Sequence, residues 1–144
     1  EVIIEKFIAG NEYSCGLMRG FDTAKGFGEK DITVFPLTQI ISQTEFFDYE
    51  AKYEGKSREV TPAEISAEIA TEIATISRKV YEILHCFGVV RCDFIVEQNT
   101  GLPYFLEVNI TPGQSEQSIV PQQVRASGHN LKEFYQTIIE QSLN

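Results

Sequence analysis

Positive charge is scarce in this sequence. Its 144 residues carry 12 Lys and Arg against 21 Asp and Glu, a formal net charge of -9. That balance excludes the broad basic surface that nucleic-acid binding requires, while leaving room for a local basic site on a small anion. Long apolar runs are missing too: none approaches the roughly 20 residues of a membrane-crossing helix, so no membrane partner is expected. Cysteine is sparse, and Cys15, Cys86 and Cys92 form no CxxC spacing and no grouping with histidine. Neither a zinc site nor a disulfide framework is indicated, and reduced thiols in a cytoplasmic protein are the simplest reading. There is also no initiator Met and no targeting segment before Glu1-Val2-Ile3-Ile4-Glu5, so a piece of a longer protein is expected.

What is present is the composition of an ordinary globule, 42% hydrophobic and 11% aromatic, and a domain of this size should bury roughly 70% of its unfolded surface. Residues 2–8 read as a strand, Gly10-Asn11 as a turn, and residues 13–18 as the second arm of a hairpin. Residues 19–31 read as a glycine-rich, charged loop. Strand character returns over 32–41, with Pro36 arguing against central pairing. The polar, aromatic-bearing stretch 42–60 is too long for an idle connector and reads as a functional loop. Thr61-Pro62-Ala63-Glu64 has the form of a helix start, with a capping threonine, a proline in the first turn and a capping-box glutamate. Ile65, Ile69, Ile73, Ile76, Val80, Ile83 and Phe87 then make one apolar stripe suited to packing on a sheet, and Gly88 is placed to end the helix. Residues 89–97 and 102–109 read as a second hairpin around Asn99-Thr100-Gly101, and residues 118–127 and 130–143 as helices. No repeat or linker divides residues 1–144, so a single domain is expected.

The second hairpin carries the chemistry. Arg91 and Asp93 are two apart and share one face of their strand, as do Glu107 and Asn109. If the three-residue loop pairs Gln98 with Leu102, Asp93 falls opposite Glu107 and Arg91 opposite Asn109. Cys92, Phe94, Val96, Leu106 and Val108 then make the apolar face, so burial favours this register over a one-residue slip. Two carboxylates and an amide oxygen gathered this way suit a hard cation such as Mg2+, which keeps waters and phosphate ligands, and the adjacent arginine points to a nucleotide phosphate. An Arg-Asp pair on a solvated face is the alternative, and the hairpin alone leaves it open. Directly downstream, residues 110–121 form a loop leading into a helix at about Ser118, and a helix start of this kind binds carboxylate or phosphate. Taken singly, Ser118 is an N-cap and Gly113 a turn residue.

The words Arg91-Cys92-Asp93-Phe94, Phe105-Leu106-Glu107-Val108-Asn109, Thr111-Pro112-Gly113 and Ser118-Ile119-Val120-Pro121 resemble, in order and spacing, the end of the D-alanine-D-alanine ligase family of ATP-grasp enzymes. Phe47-Asp48-Tyr49-Glu50-Ala51-Lys52-Tyr53 resembles that family's mobile active-site loop, and Ile4-Glu5-Lys6-Phe7-Ile8 through Glu12 its adenine and ribose segment. The resemblance implies an α+β fold, the carboxy-terminal half of an ATP-grasp domain, with an antiparallel sheet on a long helix and a helical tail. It also implies ATP and Mg2+ (or Mn2+) as cofactors, D-alanine as substrate and a homodimeric parent protein. By the same resemblance Asp93, Glu107 and Asn109 would hold metal, while Lys52 would reach the ATP phosphates. Glu5, Lys6, Ile8 and Glu12 would line the nucleotide pocket, with Glu12 on the ribose. Arg91 and the backbone of Gly113 would stabilise an oxyanion, Ser118 and Ile119 would hold the second D-alanine's carboxylate, and Tyr53 favours D-alanine over D-lactate.

The sequence departs from the family at Gln114-Ser115-Glu116-Gln117, where Glu116 adds negative charge near a carboxylate site. The family's amino-terminal domain, glycine-rich loop and upstream lysines have no counterpart here, so the isolated chain is not expected to catalyse the full reaction. Two other readings stay open: another ATP-grasp carboxylate-amine ligase, and a non-catalytic ATP-grasp-like binding module.

Overall fold

The computed structural model describes residues 2–20, 32–42 and 57–143. Its central strand β1, Gly10–Arg19, is buried on both faces from Tyr13 to Met18. Tyr13, Cys15 and Leu17 enter one core, whereas Met18 enters another. A strand covered on both sides must lie inside a three-layer arrangement, and the helices supply the outer layers.

Antiparallel partners flank β1. On one edge lie two short strands in tandem, β2 (Ile32–Val34) and β3 (Thr38–Ser42), and on the other lies β5 (Val89–Glu97). Strand β4 (Ser57–Val60) pairs outside β3, and β6 (Pro103–Asn109) pairs outside β5. The strand expected over 32–41 is thus divided at residues 35–37, where Pro36 has no N–H to donate. The backbone crosses β1 there by a single bond from Phe35 N to Gly16 O (2.9 Å).

The amino-terminal segment and the long loop differ from the sequence expectation. Residues 2–9 form no strand, and Gly10-Asn11 is no turn; both residues belong to β1, where Gly10 pairs with Glu97. A Cβ at Gly10 would collide with the Val96 carbonyl, so this glycine serves close strand approach rather than chain reversal. Residues 57–60 of the expected long loop are strand β4. Ser42 ends β3, and residues 43–56 of that loop, including Lys52 and Tyr53, lie outside the described residues, as do residues 21–31.

The long helix α1 spans Ala67–Ile83 and starts later than the capping box predicted. Thr61 Oγ1 is instead 2.6 Å from Thr38 Oγ1, and Ala63 N donates to Leu37 O (2.7 Å). These groups are committed to the sheet and cannot cap a helix. Ser66 does so, accepting from Ile69 N (3.3 Å). Burial follows the line Ile73, Ser77, Tyr81, with Ile65, Ile69, Ile76 and Val80 packed beside it. Ile83 and Phe87 are exposed, contrary to the predicted stripe. Two residues past Tyr81, Ile83 points ~200° around the helix, and Phe87 lies beyond the helix end. The chain leaves helical geometry at His85, at φ 49, before Gly88 is reached.

Tyr81 joins this turn to β1, since its hydroxyl donates to Gly88 O (2.7 Å) and accepts from Arg19 N (3.3 Å). Tyr81→Phe keeps the buried ring and leaves both backbone groups without that partner. Urea unfolding should show a loss of about 1–3 kcal/mol; an unchanged midpoint would mean that water replaces the hydroxyl.

Helices α2 (Ile119–Ala126) and α3 (Leu131–Ser142) cover the other face through Val120, Val124 and Phe134 against Met18 and Phe35. The α+β class and the helical tail are as the sequence predicts. No helix among the described residues is long and apolar enough to cross a membrane.

Candidate active site

The register of four strands lines up one polar row on the face that α2 covers in part. Thr38 pairs with Ser14, Ser14 with Asp93, and Asp93 with Glu107. The next row on the same face is Gly16, Arg91 and Asn109. Directly opposed residues of an antiparallel pair share a face, so Asp93, Glu107, Arg91 and Asn109 are gathered as the sequence predicts.

The pairing that achieves this differs from the predicted one. Near the turn Val96 faces Pro103 and Phe94 faces Phe105, and Glu97 N donates to Leu102 O (3.0 Å). Gln98 is not paired with Leu102; its N–H goes to Ala9 O (3.0 Å). A β-bulge between Asp93 and Phe94 then inserts Leu106 as an extra residue on β6 and restores Asp93 opposite Glu107. Leu106 is consequently 47% exposed instead of lining the apolar face, and Phe105 meets the Phe94 ring edge-on at 5.6 Å.

Asp93 is held by three donor atoms. Ser14 Oγ donates to Oδ1 (2.6 Å), and Arg91 contacts both carboxylate oxygens through Nε (2.9 and 3.1 Å) and Oδ2 through Nη2 (2.8 Å). The two side chains are only 14% and 20% exposed, and a planar guanidinium fork is the group that fixes a carboxylate in this way. Arg91 Nη1 makes no hydrogen bond among the described residues. The Glu107 side chain is exposed and makes no hydrogen bond or ion pair among the described residues, so a carboxylate without a counter-charge there faces the neutralised one. Asn109 Oδ1 accepts from Thr111 N (3.0 Å), which fixes the amide and turns the chain into the following loop.

That loop brings Gly113 against Ser118: a Cβ on Gly113 would lie 2.8 Å from Ser118 Oγ. Ser118 occupies the N-cap position of α2 in extended geometry, yet its side chain makes no cap hydrogen bond. Its Oγ lies 2.8 Å from Ser115 Oγ, and Ile119 follows it into the helix. Elsewhere, Glu12 is half-buried on β1, two residues before Ser14 and on the same face. Glu5 and Lys6 are exposed and Ile8 half-buried on the segment before β1.

An oxygen donor set of Asp93, Glu107 and Asn109 fits a hard divalent cation, but as an incomplete cage. Among the described residues no group of three or more His, Cys, Asp or Glu could hold a metal. Mg2+ tolerates such a cage because it keeps waters and substrate phosphates. Burial pushes the Cys15 thiol up to about 12 and the Cys92 thiol up to about 11, so neither of these two is a ready nucleophile at neutral pH.

Two contributors went unseen in the sequence. Ser14 could be read only once β1 was paired with β5. Gln123 had a visible signal, a polar residue one turn after Ile119 and beside Val124 on the buried side of α2.

Residues 1–140 match the family described as D-ala D-ala ligase C-terminus. The chain belongs to this ATP-grasp ligase family. It is 42% identical over 144 residues to the D-alanine--D-alanine ligase of Porphyromonas gingivalis, an alignment covering 100% of this chain and 41% of that protein. The chain thus spans about two-fifths of the length of the curated relatives it matches. Among solved structures, the D-alanine--D-alanine ligase of Bacillus anthracis complexed with ATP has a TM-score of 0.73 at 32% identity, covering 96% of this chain and 41% of that one. The VanG D-Ala:D-Ser ligase of Enterococcus faecalis has a TM-score of 0.75 at 27% identity, covering 94% and 37%.

Proposed function

We propose that this chain is the carboxy-terminal catalytic portion, one domain over residues 1–144, of an ATP-dependent ligase. The full-length protein joins two D-alanines into D-alanyl-D-alanine for peptidoglycan precursors in the cytoplasm. The observation that carries the reading is the polar face of β5 and β6, where the Arg91–Asp93 pair and Glu107, which has no ion pair among the described residues, stand beside the loop to Ser118.

In this reading Asp93, Glu107 and Asn109 are the oxygen ligands for Mg2+, which when bound screens the phosphate charge of ATP. A carboxylate oxygen of the first D-alanine displaces ADP from the γ-phosphorus. The amine of the second then attacks the acyl carbon and loses a proton, and inorganic phosphate departs. Arg91, whose Nη1 is uncommitted among the described residues, and Gly113 N–H face the oxyanion formed in that attack. Ser118 and the Ile119 backbone hold the second amino acid's carboxylate at the start of α2. Glu5, Lys6, Ile8 and Glu12 flank the nucleotide, Lys52 reaches its phosphates and Tyr53 helps select D-alanine. The remaining length of the relatives corresponds to the parts that complete the ATP site, and the full-length protein forms a homodimer.

The test is phosphate release by the full-length protein with D-alanine, D-serine, D-lactate and L-alanine at saturating Mg2+. Release that depends on D-alanine, with dipeptide formed, supports the reading. A preference for D-serine as second substrate would place the protein with the VanG-type ligases, and no release with any acceptor would sink the assignment.

A further inference from the structure

Gln123 is fully buried (0% exposed), and three hydrogen bonds engage its amide. Nε2 donates to Ser14 O (2.9 Å) and Thr38 Oγ1 (3.1 Å), and Oε1 accepts from Gly16 N (3.0 Å). The need for this amide follows from the break between β2 and β3. Strand β3 pairs with β1 as far as Ser14, and β2 pairs with it from Leu17, so the backbone of residues 14–16 faces a gap in the ladder. The side chain of Gln123 fills that gap with one donor and one acceptor, as a peptide unit of a continuous strand would. Gly16 permits the approach, because a Cβ there would collide with Oε1.

The clamp has a candidate site residue at either end. On one side Ser14, whose carbonyl Gln123 holds, donates its hydroxyl to Asp93, and Asp93 is forked by Arg91. On the other, Gln123 lies five residues along α2 from Ser118 and four from Ile119. We infer that Gln123 is a positioning residue for the acceptor amino acid, fixing the start of α2 against the Asp93–Arg91 pair so that the carboxylate seat and oxyanion donors keep one spacing. This rests on the proposed ligase reading. It adds a residue that touches no substrate and acts through Ser14 and the helix.

The experiment compares full-length wild type with Gln123→Met, which fills similar volume without the amide, and Gln123→Glu, which keeps an acceptor for Gly16 N–H. Assays run well below each melting temperature. Misplacement of substrate groups is costly in rate, so Gln123→Met is expected to raise KM for the acceptor D-alanine and lower kcat, on the order of tenfold each. KM for ATP should stay within about twofold, because the β1–β5 ladder and the Arg91 fork keep Asp93 in place when α2 shifts. Gln123→Glu should fall between. Backbone deuterium exchange across residues 112–120, measured without substrate, should quicken in Gln123→Met. Kinetic constants and exchange both near wild type would overturn the inference, as would ATP and acceptor KM rising together, which marks general loosening. If Gln123→Met does not fold, Gly16→Ala, whose Cβ displaces Oε1, is read by the same criteria. A wild-type enzyme that makes no D-alanyl-D-alanine would defeat the ligase reading instead, and the exchange result would still decide whether the clamp holds the loop.

Discussion

Glu107→Gln in the full-length protein should, on the proposed ligase reading, lower kcat by roughly a hundred- to a thousandfold, because a bound divalent ion is worth several kcal/mol to a transferring phosphoryl group and each 1.4 kcal/mol is tenfold. The substitution is close to isosteric and exchanges only charge. The Glu107 side chain is exposed, lies off both cores and has no hydrogen bond or ion pair among the described residues. Its loss should therefore move stability by no more than about 0.5 kcal/mol, as for other surface changes. Thermal unfolding alongside the activity assay checks both halves. An active variant would show that Glu107 is not a metal ligand, and an unfolded one would show that it holds the hairpin together.

Arg91→Lys should be nearly as damaging as Arg91→Ala, which is the stronger statement about geometry. The guanidinium forks Asp93 through Nε and Nη2 while Nη1 remains uncommitted among the described residues. A lysine ammonium offers a point charge that can reach Asp93 or a substrate oxyanion, but not both in this fixed arrangement. Removing one such donor typically costs on the order of a hundredfold or more in kcat. Alanine also leaves Asp93, 14% exposed, with the Ser14 hydroxyl as its remaining side-chain partner among the described residues. The alanine variant should thus melt lower than the lysine variant, although the two lose similar activity. Lysine restoring near-normal turnover would mean that the charge alone matters and that Arg91 does not serve two partners at once.

The polar face of the second hairpin was legible because strand alternation and core burial agree on it: Cys92, Phe94 and Val96 are buried, which fixes where Arg91 and Asp93 must face. The bulge was not legible, since Phe105 and Leu106 are both apolar and either could have met Phe94. Residues 2–8 carry strand-like sequence without a partner strand among the described residues, and Val2, Ile3, Ile4 and Phe7 are at least 80% exposed. The helix start was misplaced for a related reason. Thr61 and Ala63 satisfy both a local capping pattern and a tertiary contact, and the contact with Thr38 and Leu37 wins. Gln123 was visible as a polar residue on a buried helical side, but its partners lie 85 to 109 positions away along the chain.

The bulge at Leu106 has one further effect. It separates the hairpin into two independently registered stretches, so the distance in sequence from the Gln98–Gly101 tip to Glu107 need not be conserved for Glu107 to meet Asp93. A residue gained or lost at the tip can be absorbed by adding or removing the irregularity, with the far end left undisturbed. The tip is thus expected to tolerate a change of length, and is a rational point for splicing in an epitope or a fluorophore-bearing loop.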